Sequence, residues 1–375
     1  MKIAGFDIFT LAIPLVASDL SAVTNSGRFL LVRVRDETGG QGWGECPLTE
    51  RSPAESVEGI PEILRRLIRE DLAARCFDDL ASVTGAVGAL LEHASPARLT
   101  ACCAVETALL DLVGRRQFRS AGEVLGRVRR AAVVYGARVF EGSSQSVSEQ
   151  ALALRRAGVR QVTLEIGEDP EAGHRRVESV REILGDGVEL RICPGGAWSA
   201  ETAIRELEAM ARWHIAGVEQ PVAVGDIDMM SQVTASGLVP VIATGAITSR
   251  QDIIRLASER ACDVVGIRLS ECGGLGAAGV MHRIARDAGL GCQLVAEESD
   301  AGLLAAAGLH FACRAEGVHY AEWAPTLPRL PEPLTDPAME GNPAMPANAL
   351  RRPGLGVRID ADAVERFASQ RISVS

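Results

Sequence analysis

The stretch VRQVTLEIGEDPEAGHRRVESVREILGDGVELRICP, residues Val159–Pro194, contains the repeating unit that decides the fold. It begins and ends with short apolar runs, VRQVTLEIG and VELRICP. The segment EAGHRRVESVREILG between them has the apolar spacing of an amphipathic helix. A strand, a helix and a second strand in this order are typical of a parallel βαβ unit.

The same alternation continues over residues 127–323. The strand candidates, in chain order, are AVVYGARV, VRQVTLEIG, VELRICP, GVEQP, VPVIATG, VVGIRLS, GCQLVAEES and VHYAEW. Helical segments such as SVSEQALALRRAG and AETAIRELEAMARW separate most of them. Eight strands that alternate with helices predict an α/β fold with a TIM-type barrel.

The flanking residues, 1–126 and 324–375, have different patterns. RFLLVRVRDETGGQGWGE alternates apolar and polar positions around the turn DETGG, which predicts a small antiparallel sheet, and ACCAVETALLDLVGRR has the period of a buried helix. The last segment is rich in Pro before PGLGVRIDADAVERFA, which indicates a strand and a short helix. Because a lone strand needs a partner, we predict that this segment returns to the N-terminal domain.

Composition narrows the function classes. The net charge is -10 and no Lys/Arg cluster stands out, which disfavours a nucleic-acid partner and favours small molecules. Nine Cys residues without CxxC or finger spacing indicate reduced thiols. There is no apolar run of bilayer length and no small-residue cleavage site after the apolar N-terminal stretch, so we expect a cytoplasmic protein. We also expect a homo-oligomer. Lys2 is the only lysine, and Arg stays protonated and cannot serve as a base.

Several short motifs occur together in a characteristic order. They are GWGE at 42–45, AVETALLDL at 104–112, VEQP at 218–221, ECGGLG at 271–276 and PGLG at 353–356. In these motifs the chain resembles the enolase superfamily, in the branch of muconate-lactonizing enzyme and o-succinylbenzoate synthase. The resemblance implies a modified TIM barrel of the (β/α)7β type. It also implies an N-terminal α+β capping domain that the C-terminal segment completes.

The resemblance further implies one magnesium ion, held by carboxylates after the third, fourth and fifth barrel strands, and lysine bases on the second and sixth. In this sequence the metal positions fall on Cys193, Glu219 and Thr244–Gly245, and the base positions fall on Thr163, Glu165 and Arg268. Only Glu219 keeps the residue type of the family, and CQLVAEESD contains no His that could replace a base. We therefore predict a site without metal and without cofactor.

Four residues are the catalytic candidates: Glu165, Arg268, Glu219 and Cys193. Arg268 and Arg191 could grip a substrate carboxylate or stabilise an oxyanion, and Glu165 or Cys193 could carry a proton. An adjacent Arg would favour a Cys193 thiolate, but Cys193 could equally fill the space of an absent ligand. Glu165 could equally form a structural ion pair with Arg268 across the barrel.

Further side chains are predicted to contact substrate. They are Thr163, Arg191, Tyr135, Arg138, Thr244, Glu297, Glu298, Asp300 and Glu322. Two loops of the capping domain, 18–28 and 46–56, are predicted to close over the barrel mouth.

Three functions are compatible with this pattern. The first is a metal-independent isomerase or lyase of enolase-superfamily ancestry that performs cycloisomerisation, elimination or epimerisation on a small carboxylate- or carbonyl-bearing metabolite. The second is a non-catalytic relative that binds a small molecule. The third is a magnesium-dependent racemase or o-succinylbenzoate-type synthase, which the missing ligands and lysines disfavour.

Overall fold

The structure of the protein is a computed structural model. It describes residues 1–14, 26–48, 54–73, 75–130, 132–245, 247–295, 301–323, 330, 332–339, 344–346 and 351–374.

The regular elements follow the alternation seen in the sequence. The strands are β1 (Ile3–Pro14), β2 (Ser26–Asp36), β3 (Gln41–Cys46), β4 (Ala132–Val134), β5 (Gly136–Val139), β6 (Gln161–Glu165), β7 (Glu189–Cys193), β8 (Ile215–Glu219), β9 (Val241–Ala243), β10 (Val264–Ile267), β11 (Gly291–Leu294), β12 (Val318–Trp323), β13 (Thr335–Asp336), β14 (Ala344–Pro346), β15 (Arg358–Ile359) and β16 (Ala368–Val374). The α-helices are α1 (Ala54–Leu67), α2 (Leu80–Gly88), α3 (Pro96–Gln117), α4 (Ser144–Arg156), α5 (Pro170–Leu184), α6 (Ala200–Met210), α7 (Ile227–Ala235), α8 (Arg250–Ser258), α9 (Leu269–Cys272), α10 (Leu275–Asp287), α11 (Leu303–Arg314) and α12 (Ala361–Phe367).

The predicted barrel is confirmed. Strands β5 to β12 form a closed parallel barrel in chain order, and β12 pairs with β5 to complete it. Strand β6, helix α5 and strand β7 are the unit quoted at the start, and Asp169 caps α5 by accepting the backbone N–H of Glu171. Pro170 occupies the first turn of this helix and Gly185 follows its end, as is usual at helix boundaries.

The first strand candidate, AVVYGARV, divides into two strands. Residues 132–134 form β4, which pairs antiparallel with β14 outside the barrel, and only residues 136–139 form the barrel strand β5. Tyr135 lies between them, at the amino end of β5. It is therefore at the opposite end of the barrel from the mouth, and its predicted contact with substrate is wrong.

The N-terminal domain is built on an antiparallel sheet in the order β16-β1-β2-β3. The C-terminal strand β16 lies beside β1, with Phe6 opposite Val374. Helix α3 packs on β3, where the glycines of GWGE permit close approach: a Cβ on Gly44 would overlap the carbonyl oxygen of Ala104. The α/β fold class with a separate N-terminal capping domain is thus confirmed. The exact domain boundaries remain predictions.

Buried carboxylates join the capping domain to the rest of the chain. Glu45 on β3 accepts backbone N–H groups at the start of α11, from Leu303 and Leu304 at 3.2 Å each. Glu106 on α3 accepts the N–H of Gly276 at 3.1 Å, at the start of α10. Helix N-termini carry unpaired N–H groups, so acceptor oxygens at these positions fix the two domains together.

Among the described residues, no helix has the length and apolar character that crossing a membrane requires.

Candidate active site

The inward-facing side chains of the barrel form two layers near its carboxyl end. Side chains alternate along each strand, so Thr163 and Glu165 on β6 point inward, as do Arg191 and Cys193 on β7. Thr163 and Arg191 are paired in register, and Glu165 and Cys193 are paired one layer nearer to the mouth. Charged groups therefore lie at two depths.

Arg138 on β5 is the centre of a cluster of charged side chains near the mouth. Its Nη2 donates to Glu219 Oε1 at 2.6 Å and to Glu322 Oε1 at 2.8 Å. Its Nη1 lies 3.7 Å from Glu165 Oε1. We call these four residues the Arg138 cluster. The sequence placed Arg138 and Glu322 among the substrate contacts, but here they form ion pairs with each other.

Burial distinguishes the members of the Arg138 cluster. The side chains of Glu219 and Glu322 are 4% and 2% exposed, whereas Glu165 retains 22%. Burial alone would lower the pKa of Arg138, but the negative charges of Glu219, Glu322 and Glu165 together raise it well above its ordinary value. Arg138 is therefore a permanent cation, and Glu165 is the carboxylate most open to the mouth.

Arg191 lies too deep to grip a substrate. Its Nη1 donates to Gln293 Oε1 at 2.7 Å, and its guanidinium carbon stacks 4.0 Å from the ring centroid of Tyr320. The Tyr320 hydroxyl lies 3.2 Å from Thr163 Oγ1. The predicted substrate contacts of Arg191 and Thr163 are corrected on this basis, because both side chains are buried and occupied within the barrel core.

Gln293 on β11 is a residue that the sequence reading missed. It accepts from Arg191, and its Nε2 donates to Glu219 Oε2 at 3.4 Å. Gln293 thus connects Arg191, in the deeper layer, to Glu219 in the Arg138 cluster. A single amide inside the apolar run GCQLV is the signal that could have identified it, because a buried amide requires partners.

The suggested ion pair between Glu165 and Arg268 is wrong. Glu165 contacts Arg138 and accepts the N–H of Glu141 at 3.3 Å, whereas Arg268 Nε lies 3.2 Å from Glu271 Oε1. Arg268 follows β10, which lies opposite β6 in the barrel. The two side chains therefore face the mouth from opposite sides.

Cys193 is not placed to be a thiolate. Burial, with the negative charge of Glu219, raises the pKa of its thiol to about 12, and Arg138 only partly opposes this. The expected activation by Arg191 fails because Arg191 lies one layer deeper. Thr244 follows β9 and is half-buried, and its backbone N–H donates to Gln220 Oε1 at 3.2 Å.

Three predicted substrate contacts, Glu297, Glu298 and Asp300, lie outside the described residues. Residues 18–25 and 49–53 of the two predicted lid loops, 18–28 and 46–56, also lie outside the described residues.

The donors near Glu219 do not fit magnesium. Magnesium prefers several hard oxygen ligands, whereas the neighbouring position holds the neutral thiol of Cys193. Both oxygens of Glu219 already accept hydrogen bonds, one from Arg138 and one from Gln293. Within the described ranges, no group of three His, Cys, Asp or Glu side chains could hold a metal ion.

A parallel barrel with charged side chains at its carboxyl end and an antiparallel capping domain defines a class of capped (β/α)7β barrels. The family model "Enolase C-terminal domain-like" matches residues 146–363 of this chain. The model "Mandelate racemase / muconate lactonizing enzyme, N-terminal domain" matches residues 8–126. The chain belongs to the enolase superfamily, in its mandelate racemase and muconate lactonizing enzyme-like family.

Known members of the superfamily show how far the similarity extends. Muconate cycloisomerase 1 of Rhodococcus opacus is 26% identical, over 98% of this chain and 98% of that protein. L-Ala-D/L-Glu epimerase of Clostridium acetobutylicum is 26% identical, over 78% of this chain and 82% of that protein. The crystal structure of N-succinyl Arg/Lys racemase from Bacillus cereus matches with a TM-score of 0.88 at 20% identity, and each chain is covered completely. At this identity the structural match supports the fold alone.

Proposed function

We propose that the protein is a metal-independent enzyme of enolase-superfamily ancestry that performs an isomerase or lyase step on a small carboxylate- or carbonyl-bearing molecule. The observation that carries the proposal is the Arg138 cluster, in which a guanidinium engages Glu219 while Glu165 remains open to the mouth. The activities named for the relatives, epimerisation, racemisation and cycloisomerisation, support an isomerase.

Glu165 is the proposed proton acceptor. Its ion pair with Arg138 is long, at 3.7 Å, and it is the most exposed carboxylate of the cluster. The proton of a C–H bond beside a carbonyl would move to Glu165. The electron pair of that bond would form an enolate, with its negative charge on the carbonyl oxygen. The resulting oxyanion requires a cation. Arg268 faces the mouth from the opposite side and is 13% exposed, so we assign it this task.

Two alternatives remain in competition with this proposal. The names of the relatives favour a racemase or epimerase. The family resemblance implies that a racemase or an o-succinylbenzoate-type synthase would depend on magnesium. A non-catalytic binding protein is disfavoured by the charged mouth, because buried charges are costly to keep without a use. These functions differ in their response to a chelator and in whether they break a C–H bond.

The test is incorporation of solvent deuterium into the substrate or the product, measured by mass spectrometry. The probes are L-Ala-L-Glu, N-succinyl-arginine and muconate, each with EDTA and with added magnesium. We expect one probe class to react equally under both conditions. Glu165→Gln should lower the rate about 100-fold or more, since general-base catalysis contributes on that order. Glu171→Gln, at an exposed position in the first turn of α5, is the matched control and should retain the rate.

Each alternative has its own signature in this assay. Loss of turnover in EDTA with recovery in magnesium would establish the magnesium-dependent enzyme. Saturable binding of a probe without exchange or conversion would establish the binding protein. Full activity of Glu165→Gln would remove Glu165 from the mechanism.

A further inference from the structure

We propose that the guanidinium of Arg138 takes the place of a divalent cation at Glu219, so that the carboxylates around it could bind a metal ion only once that guanidinium is removed. This inference deepens the proposed function, because it names the group that makes a metal unnecessary. It also predicts a property that can be measured without a substrate.

The geometry around Arg138 resembles coordination of a central cation. Carboxylates from three strands, β6, β8 and β12, converge on one guanidinium that projects from β5. The two short contacts, at 2.6 and 2.8 Å, share the single atom Nη2. Charge-assisted bonds of this length are the strong ones, so the cation is fixed in the cluster.

The charges of the Arg138 cluster do not balance. One guanidinium faces three carboxylates, two of which are almost fully buried. Removal of Arg138 would leave three acidic groups facing one another in a space the size of the lost side chain. Carboxylate oxygens in such an arrangement attract a hard divalent cation.

The neighbouring substitutions agree with this exchange of cations. A singly charged guanidinium needs fewer carboxylates than a divalent ion, and the positions that the family uses for further acids hold Cys193 and Thr244. The Cys193 thiol is neutral at ordinary pH, because burial and Glu219 raise its pKa to about 12. Cys193 and Thr244 thus add no negative charge to the cluster at ordinary pH.

The experiment measures Mn²⁺ binding by electron paramagnetic resonance and by isothermal titration, in wild type and in Arg138→Ala. Mn²⁺ is the probe because it prefers oxygen ligands as Mg²⁺ does. We expect wild type to show no saturable site, and Arg138→Ala to bind one Mn²⁺ with an affinity at least about tenfold above the weakest that the titration detects. Arg138→Ala/Glu219→Gln should lose the gained binding, and Arg138→Lys, which keeps a cation, should not gain it.

Folding is monitored by circular dichroism and thermal unfolding. Arg138→Met, which fills more of the space, is the second variant if the alanine variant is unstable. Recovery of its Tm by Mn²⁺ is an equivalent readout, since a ligand that binds only the native state stabilises it.

Several results would overturn the inference. They are a folded Arg138→Ala or Arg138→Met that binds no Mn²⁺, a lysine variant that binds as tightly as the alanine variant, and a wild-type protein that binds Mn²⁺ through Glu219. Failure of the proposed function is separate: wild type without any C–H exchange would leave the binding results standing. A chelator-sensitive wild type would contradict both the proposed function and this inference, because the inference assigns the place of the metal to Arg138.

Discussion

The buried carboxyl group of Glu106 should make the stability of the protein depend on pH. Glu106 lies on α3 in the interface with the barrel and accepts backbone N–H groups from Leu275 and Gly276. Burial raises its pKa from 4.5 to about 7, although these hydrogen bonds act in the opposite direction. The native state therefore holds the proton more tightly than the unfolded state does.

The sign and size of the effect follow from this difference. A raised pKa gives a stabilising contribution that is complete below about pH 4.5 and is lost as the pH rises through about 7. At about 1.36 kcal/mol per pKa unit, the loss is roughly 3 kcal/mol. With an unfolding entropy of about 2.1 cal/mol/K per residue, a chain of 375 residues should lose about 4 °C in Tm.

The perturbation that isolates this contribution is Glu106→Gln, because glutamine keeps an acceptor oxygen and cannot ionise. The assay is thermal unfolding between pH 4.5 and 8, compared as the difference in Tm between wild type and variant. We expect the variant to gain about 4 °C relative to wild type as the pH rises, with most of the change between pH 5 and 7. Exposed Glu70→Gln is the control. If the difference in Tm between wild type and Glu106→Gln stays constant with pH, the raised pKa of Glu106 is refuted.

Other perturbations address single contacts. Cys193→Ala should leave turnover and its pH profile between pH 6 and 9 nearly unchanged, because burial raises the pKa of the thiol to about 12; a loss of turnover in this variant would contradict the prediction. Gln293→Leu should cost roughly 1–3 kcal/mol of stability by denaturant unfolding, since Arg191 loses its buried acceptor, and an unchanged midpoint would be against it. Glu45→Ala should lower the Tm by removing the acceptor oxygen for the N–H groups of Leu303 and Leu304, whereas exposed Glu37→Ala should not.

The fold was predictable because its signals are local and repeated. Apolar runs separated by amphipathic helices predicted the barrel, and GWGE, VEQP and ECGGLG predicted the family. The division of AVVYGARV was not predictable, since β4 and β5 have the same apolar pattern and differ only in their distant partners, β14 and the neighbouring barrel strands.

The candidate site was harder to predict than the fold. Alternation showed that Arg191 and Cys193 share the inner face of β7, but it did not show their depth, and depth decides whether a side chain meets substrate or Tyr320. The partner of Glu165 is Arg138 on the neighbouring strand and not Arg268 across the barrel. The partner of a long side chain depends on its reach and on the charges that compete for it. Neither can be inferred from the residues next to it in the sequence.

The pairing of β16 with β1 has a consequence for biosynthesis. Residues 368–374 form an edge strand of the sheet to which residues 3–14 contribute. The ribosome therefore makes β1 early and β16 late in the synthesis of this chain. Domains normally fold as units while the ribosome extends the chain, at about 5–20 residues per second. Here the barrel strands emerge completely before the N-terminal sheet can acquire its last strand. During that interval the edge of β1 offers unpaired backbone groups, which is the period of synthesis when this chain is most exposed to mispairing.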